Sequence, residues 1–142
     1  MENALRRHVQ HLAEDKTVVL LSDLGYDVHA NGHNDHADLI VNGTLRVEVK
    51  GALWTKHRHS RGRYQFNTRQ EPDLFILWCL CEYDTVFVIP RSAIGERANI
   101  AIWSRFPSNY SGQWMPYRQA THLIQQELER CHQHTASNGK AS

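Results

Sequence analysis

The sequence has few cysteines, no long apolar run and no excess of charge of one sign. Three cysteines in 142 residues, without the paired spacing of a metal finger, argue against a secreted disulfide scaffold and favour a reducing compartment. No stretch approaches the roughly 18 apolar residues of a membrane span, and the N-terminus has no apolar signal segment. We therefore expect a cytoplasmic protein without a membrane partner. Nucleotide-loop and serine-hydrolase motifs are also absent.

The net charge of +1 means that any role in binding nucleic acid must depend on where the basic residues lie. What is present is the composition of an ordinary globular protein, with 41% hydrophobic and 22% charged residues. This length favours one domain. We predict a single domain over residues 1–132. The small polar residues of 133–142 predict a disordered tail.

The order of elements predicts an α/β fold, with a mixed β-sheet flanked by helices. A first helix is expected from Glu2 to about Leu24, ended by Gly25. Residues 52–68 are polar and basic and are expected to form a loop. Strands are predicted over 26–30, 36–41, 45–50, 73–81, 85–90 and 99–103, with a short helix after the fifth strand and a last helix over 116–130.

The dipeptide Asn42-Gly43 is a strong hairpin signal between the second and third strands. The loop length determines the register, and a shift of one residue moves every side chain to the other face. A two-residue loop would pair Asp38 with Val47 and mix charge into the core. A three-residue loop, with Gly43 left-handed as in a type I turn plus bulge, pairs Asp38 with Glu48. The alternation of apolar residues favours this second register.

In the favoured register Asp38, Glu48 and Lys50 share the face opposite the apolar one. Two carboxylates directly opposite each other, with Cβ atoms about 5 Å apart, repel unless something positive lies between them. Oxygen ligands of this kind suit Mg²⁺ or Mn²⁺, and a lysine beside the metal could position water or stabilise charge on a phosphate. The alternative is a surface salt bridge between Lys50 and one of the acids.

Glu14 lies on the predicted first helix, close in angle to Val18 and Leu21. It would therefore extend an apolar face that looks inward, where a carboxylate needs a partner. A metal at the hairpin would provide one. Three further apolar residues lie on nearly the opposite side of the helix: Leu5, Val9 and Leu12.

These residues resemble the motif of the PD-(D/E)XK nuclease superfamily, and most closely its Holliday junction resolvase-like branch. The elements occur in order over residues 10–53: Glu14 on a helix, Gly25-Tyr26, Asp38 on the hairpin, and Glu48-x-Lys50. The later segments "YQFN" and "FVIP" are similar but less specific. The sequence departs at Ala37, where the nominal motif has proline.

The resemblance implies a restriction endonuclease-like core and a Mg²⁺-dependent endodeoxyribonuclease, with Mn²⁺ able to substitute. It implies that Asp38 and Glu48 hold the metal, that Lys50 is the catalytic lysine, and that Glu14 supports the metal directly or through water. Branched DNA is one candidate substrate, and a sequence-specific restriction-type or homing-type target is another. A catalytically silent nucleic-acid-binding relative is a further alternative.

A homodimer is expected, because two strands must be cut and each chain has one site. The side of the first helix that carries Leu5, Val9 and Leu12 is a possible contact between the two copies.

A basic segment follows the catalytic strand and predicts contact with DNA phosphates. It carries no acid between Trp54 and Tyr64, and a solvated loop is the alternative. His33, His36 and Asp38 have a spacing that could bind zinc, although no second pair of soft ligands is evident. The residues predicted to contact nucleic acid are Lys56, Arg58, Arg61, Arg63 and His36.

Overall fold

The computed structural model describes residues 2–32, 37–56, 58–59 and 61–141, and the side chains of 3–32, 37–56, 58–59 and 61–133. The elements in chain order are α1 (Glu2–Asp23), β1 (Val28–Ala30), β2 (Leu39–Val41), β3 (Leu45–Leu53), β4 (Tyr64–Asn67), β5 (Leu74–Leu80), β6 (Thr85–Pro90), α2 (Arg91–Ile94), β7 (Asn99–Ile102) and α3 (His122–Ala141). Short 3₁₀ turns lie at Pro107–Asn109 and Met115–Tyr117.

The main sheet has five strands in the order β1-β2-β3-β5-β6. The pair β3–β5 is parallel and the other neighbours are antiparallel. Strands β4 and β7 form a separate antiparallel pair, which we call the ribbon. The predicted α/β class with a mixed sheet and flanking helices is therefore confirmed. None of the helices in the described part of the chain is long and apolar enough to cross a membrane.

The main sheet is covered on both faces. On one face, Val49 and its neighbours pack in a buried cluster with residues of α1 and α3. On the other face, Phe75 and Leu77 of β5 pack with the ribbon and α2. Glu48 and Lys50 pair in register with Phe75 and Leu77. Since neighbouring strands present paired residues to the same face, Glu48 and Lys50 lie on the side of the sheet that faces the ribbon.

The predicted hairpin register is confirmed. Val41 pairs with Leu45, and continuing that register places Asp38 opposite Glu48. The turn itself differs from the prediction, because Asn42 (φ 51°) and the following glycine (φ 74°) both have positive φ. Two positive φ values are the type I′ pattern, which matches the twist of the strands better than a type I turn.

Helix α1 is confirmed, but the helix face that was predicted to point inward is only partly buried. Thr17 is fully buried, whereas Val18 is 38% exposed. Thr17 Oγ1 donates to the Ala13 carbonyl at 2.8 Å and accepts a hydrogen bond of 2.8 Å from Trp78 Nε1. A hydroxyl with both partners can be buried at little cost. Val9 also packs against the core, on the side predicted as a possible contact between two copies.

Two further predictions differ from the structure. Strand β4 lies inside the segment predicted to be a loop, because Tyr64 and Phe66 pair with Ile102 and Ile100 of β7 and are buried with them. The last helix begins at His122 and its backbone is helical to Ala141, through most of the segment predicted to be a disordered tail. Residues 133–141 contain no proline that would interrupt the helical hydrogen bonds.

Candidate active site

Glu48 and Asp38 form a pair of carboxylates at the hairpin. Glu48 lies near the middle of β3 and is only 5% exposed. Asp38 comes just before β2, and its Oδ2 accepts a hydrogen bond of 2.8 Å from the backbone N–H of Val49. That bond fixes the Asp38 carboxylate beside its strand partner. The two acids are therefore close together because the register places them opposite one another.

The pKa of Glu48 is raised from its ordinary value of 4.5 to about 8. Burial is the largest cause and the nearby Asp38 carboxylate is the next, while the Lys50 ammonium opposes both. Near neutral pH Glu48 therefore holds a proton in the absence of an added cation. A buried carboxylate beside another carboxylate is unfavourable when ionised, and a bound cation would relieve that cost.

Lys50 is on the same face of β3 as Glu48, two residues further along the strand. Its Nζ lies 3.5 Å from Glu48 Oε1. The side chain is partly exposed, with 21% of its area accessible to solvent. Lys50 therefore contacts Glu48 and is partly open to solvent.

Gln10, on α1, joins the helix to the hairpin, and the sequence motifs do not include it. Its Nε2 donates to the Val49 carbonyl at 2.8 Å and to Glu14 Oε1 at 3.0 Å, and it lies 3.4 Å from Asp38 Oδ2. The half-buried Glu14 is thus linked to Asp38 through this amide. A signal did exist in the sequence, because residues four apart on a helix share a face.

The close approach of α1 to β3 depends on Gly51. A Cβ at this position would lie 2.9 Å from Ala13 Cβ and 3.1 Å from both the Cγ1 and the carbonyl oxygen of Val9. Only a glycine leaves room for the helix at this distance. The helix that carries Gln10 and Glu14 therefore packs directly on β3.

The structure brings all four predicted catalytic residues into one region, where three form a group and the fourth is linked to that group through another side chain. Asp38, Glu48 and Lys50 form the inner group, and Glu14 joins them through Gln10. Within the described residues, no set of three or more His, Cys, Asp or Glu side chains is arranged to hold a metal ion. The oxygen donors that are present for a metal ion are those of the Asp38 and Glu48 carboxylates.

A cleft with a volume of about 580 Å³ opens beside Lys50, between α1, β3 and the start of β4. Three cationic side chains line it, namely Arg6, Lys50 and Arg63. The described lining contains no acidic side chain. Arg6 is a residue that the sequence motifs missed, and its place in the cleft follows from the seating of α1 on β3.

The residues of the basic segment fall into two groups. Lys56, Arg58 and Arg61 are exposed. Arg63 is half-buried, its Nε donates to Gln65 Oε1 at 2.6 Å, and its guanidinium lies 5.2 Å from the centre of the Trp103 ring. Arg63 is thus held at the end of the ribbon, whereas the other three remain free to meet a ligand.

The predictions for His33 and His36 lie outside the described residues. The same holds for His57 within the basic segment. The zinc hypothesis and the role of His36 in binding DNA therefore stay predictions.

Comparison with known proteins gives a likeness among solved structures. No family model matches the chain, and no curated protein sequence matches it. Among solved structures, the chain is similar to a bacterial homing endonuclease, I-Ssp6803I, with a TM-score of 0.66 and 22% sequence identity. The match covers 94% of this chain and 96% of that one. At this identity the likeness shows the fold alone, over nearly the whole chain.

Proposed function

We propose that this protein is a metal-dependent endodeoxyribonuclease of the PD-(D/E)XK type. The observation that carries the proposal is the buried Glu48 carboxylate beside the half-buried Asp38 carboxylate, with Lys50 Nζ 3.5 Å from Glu48 and lining a cationic cleft. A surface salt bridge does not account for this arrangement, since Glu48 is 5% exposed. Such a placement is unfavourable for stability alone and is typical of functional sites.

The residues present fit a hard divalent cation. The pair supplies carboxylate oxygens, the donors that Mg²⁺ and Mn²⁺ prefer. Asp38 and Glu48 would hold the ion, and Glu14, which Gln10 links to Asp38, would support it through water. When bound, the metal supplies charge neutralisation at the phosphate and a more acidic water.

The protein's own side chains then have distinct tasks. Lys50 is placed to donate a hydrogen bond to a phosphate oxygen or to orient the attacking water. The Val49 N–H holds Asp38 in place, and Gln10 holds Glu14 against β3. Hydrolysis breaks the P–O3′ bond by adding water to it. The phosphate stays on the 5′ oxygen of the downstream nucleotide, and the O3′ of the upstream nucleotide takes a proton and becomes a hydroxyl.

Two classes of DNA substrate are candidates. The resolvase-like spacing of Glu14, Asp38 and Glu48 favours branched DNA. The likeness to a protein described as a homing endonuclease supports cleavage of a defined duplex sequence instead. A catalytically silent relative is disfavoured, because all four polar positions carry residues that can act.

The direct test presents purified protein with a four-way junction, a linear duplex, a plasmid and single-stranded DNA in Mg²⁺, Mn²⁺ or EDTA. We expect cleavage with Mg²⁺ or Mn²⁺, none with EDTA, and none by Glu48→Gln. Preference for the junction supports the resolvase-like alternative, and discrete plasmid fragments support the homing-type alternative. Metal-independent cleavage, or cleavage that survives Glu48→Gln, contradicts the proposal.

We also propose a homodimer in which each copy cuts one strand. Leu5 and Leu12 are 52% and 39% exposed on α1, as a contact surface requires. Val9 packs inward and cannot contribute as the sequence predicted. Val19, seven residues after Leu12, is 60% exposed and continues the same stripe.

A further inference from the structure

The ribbon has one buried and one open face. Tyr64 and Phe66 of β4, with Ile100 and Ile102 of β7, pack into the second core cluster and fix the ribbon to the main sheet. Because side chains alternate, the residues between them face away from this core. The ribbon is thus packed on the main sheet through one face, while the side chains of its other face are exposed or half-exposed.

The outer face carries amides and no acid. Gln65 is paired with Ala101, and Asn67 is paired with Asn99. The three amide side chains are exposed. One register step beyond the strand ends, Arg63 lies over Trp103. Amide side chains offer directional hydrogen bonds, whereas a face built only to attract phosphates would carry lysine and arginine.

This face is continuous with the cationic cleft. Arg63 and Gln65 both line the cleft that Lys50 lines. A strand of DNA held with its phosphate at Lys50 would therefore bring neighbouring base pairs to the ribbon. One chain therefore places exposed amides of the ribbon beside the cleft that Lys50 lines.

We propose that the outer face of the ribbon enters the major groove of duplex DNA and reads base edges. This inference rests on the proposed endonuclease function and extends it to a sequence-selective substrate. A two-stranded ribbon fits a major groove about 12 Å wide. Four residues of strand span about 13 Å and two paired strands are about 5 Å apart, so the ribbon has suitable dimensions.

The hydrogen bonds of the amides indicate what each can read. Gln65 Oε1 accepts from Arg63 Nε at 2.6 Å, and Asn67 Oδ1 accepts from the Arg69 N–H at 2.9 Å. With their oxygens engaged, both side chains present NH₂ donors, which suit acceptors such as N7, O6 or O4 on base edges. Asn99 can add the bidentate contact with adenine that asparagine makes in the major groove.

The experiment selects duplexes with a randomised 30-base-pair centre for binding to full-length Glu48→Gln protein in Ca²⁺, followed by sequencing. Using this variant separates binding from cleavage. The same selection is repeated with Gln65→Ala, Asn67→Ala and Asn99→Ala added singly. Gln126→Ala, an exposed glutamine on α3 behind the other face of the sheet, is the matched control.

We expect the parent protein to enrich a defined sequence. Asn99→Ala should lose preference at one position by about 5- to 150-fold, the range for a good bidentate base contact. Gln65→Ala and Asn67→Ala should each lose less at their own positions, because each presents only an NH₂ donor group. Gln65→Glu should change which base is preferred, because it replaces a donor with an acceptor. Gln126→Ala should leave the enriched sequence unchanged.

Other outcomes overturn the inference. Enriched DNA without sequence preference means that the ribbon does not read bases, while the endonuclease proposal stands. An equal loss for all sequences in the ribbon variants means a phosphate contact instead. Failure of the parent protein to retain any DNA, duplex or junction, contradicts the proposed function itself.

Discussion

Glu48 occupies a position that conflicts with its charge. A strand centre that is 5% exposed disfavours an ionised carboxylate, and the adjacent Asp38 disfavours it further. Lys50 offsets part of this cost. Natural proteins retain such conflicts where a function requires them, so these three residues are the first to test.

Glu48→Gln and Lys50→Ala should each reduce the rate of DNA cleavage by roughly 100-fold or more, because in the proposed mechanism Glu48 holds the metal and Lys50 acts on the phosphate or the water. DNA binding in Ca²⁺ and the circular dichroism spectrum should change little. Single-turnover cleavage measures the effect, with the exposed Glu82→Gln as the charge-matched control. Wild-type cleavage by Glu48→Gln would disprove the catalytic assignment.

The raised pKa of Glu48 predicts a pH-dependent stability. Between pH 4.5 and about 8 the folded state holds a proton that the unfolded chain has released. The free energy of unfolding contributed by this group therefore falls as pH rises through that window. Relative to wild type in EDTA, Glu48→Gln should gain stability from pH 5 to pH 8 by on the order of 3 kcal/mol.

Urea unfolding of both proteins at pH 5, 6.5 and 8 measures this difference. Addition of Mg²⁺ at pH 8 should stabilise wild type more than Glu48→Gln, because a bound ion stabilises the folded state by mass action. A difference in stability that is constant across pH would show that Glu48 titrates normally.

Strand β3 connects the parts of the site. It carries Glu48 and Lys50, it supplies the Val49 backbone groups that hold Asp38 and Gln10, and its Gly51 admits helix α1. The site is therefore assembled by the packing of a helix on a strand as much as by the hairpin motif.

Gly51→Ala should destabilise the protein by about 1–3 kcal/mol, because its Cβ would overlap Ala13 and Val9. It should also lower the rate of DNA cleavage, because it would push α1, which carries Gln10 and Glu14, away from β3. The double variant Ala13→Gly/Gly51→Ala should recover part of the packing loss, measured as a coupling energy in a double-mutant cycle. Strict additivity of the two changes would contradict the proposed contact.

The exposed basic residues that follow β3 predict how the affinity for DNA depends on salt concentration. Arg58→Ala/Arg61→Ala should weaken DNA binding equally for all sequences. It should lower the slope of log affinity against log salt by about 0.9 for each lost phosphate contact. Arg130→Ala, whose guanidinium pairs with Glu127 on α3, is the control. An unchanged slope would show that this segment is only solvated.

The sequence predicts well what local pattern determines. Apolar alternation selects the correct register of Asp38 and Glu48, although both turn residues adopt positive φ. Prediction from the sequence fails where the structure of a segment depends on residues that are distant in the chain. Strand β4 depends on β7, more than thirty residues later, and Thr17 is buried because Trp78 donates to it. The sequence motif does not include Gln10, whose amide carries no charge.

At the level of the whole molecule, one chain carries one candidate site, whereas a duplex has two strands. A single site can cut both strands only by rebinding or by pairing with a second copy. The exposed stripe of Leu5, Leu12 and Val19 on α1 offers an apolar surface for such pairing. The surface lies on the helix that also carries Gln10 and Glu14, so pairing would bring two sites into a fixed relation.

Light scattering at micromolar concentration should therefore give twice the chain mass of 16.5 kDa. Leu12→Glu/Val19→Glu should give single chains, because two charges would be buried in an apolar contact. These single chains should nick a supercoiled plasmid before linearising it, whereas the wild-type protein should linearise it within one binding event. Tyr83→Ser removes a 74%-exposed aromatic residue from the β5–β6 turn and should change neither result. A wild-type protein that remains a single chain with and without DNA would leave each strand to be cut in a separate encounter and would contradict the dimer.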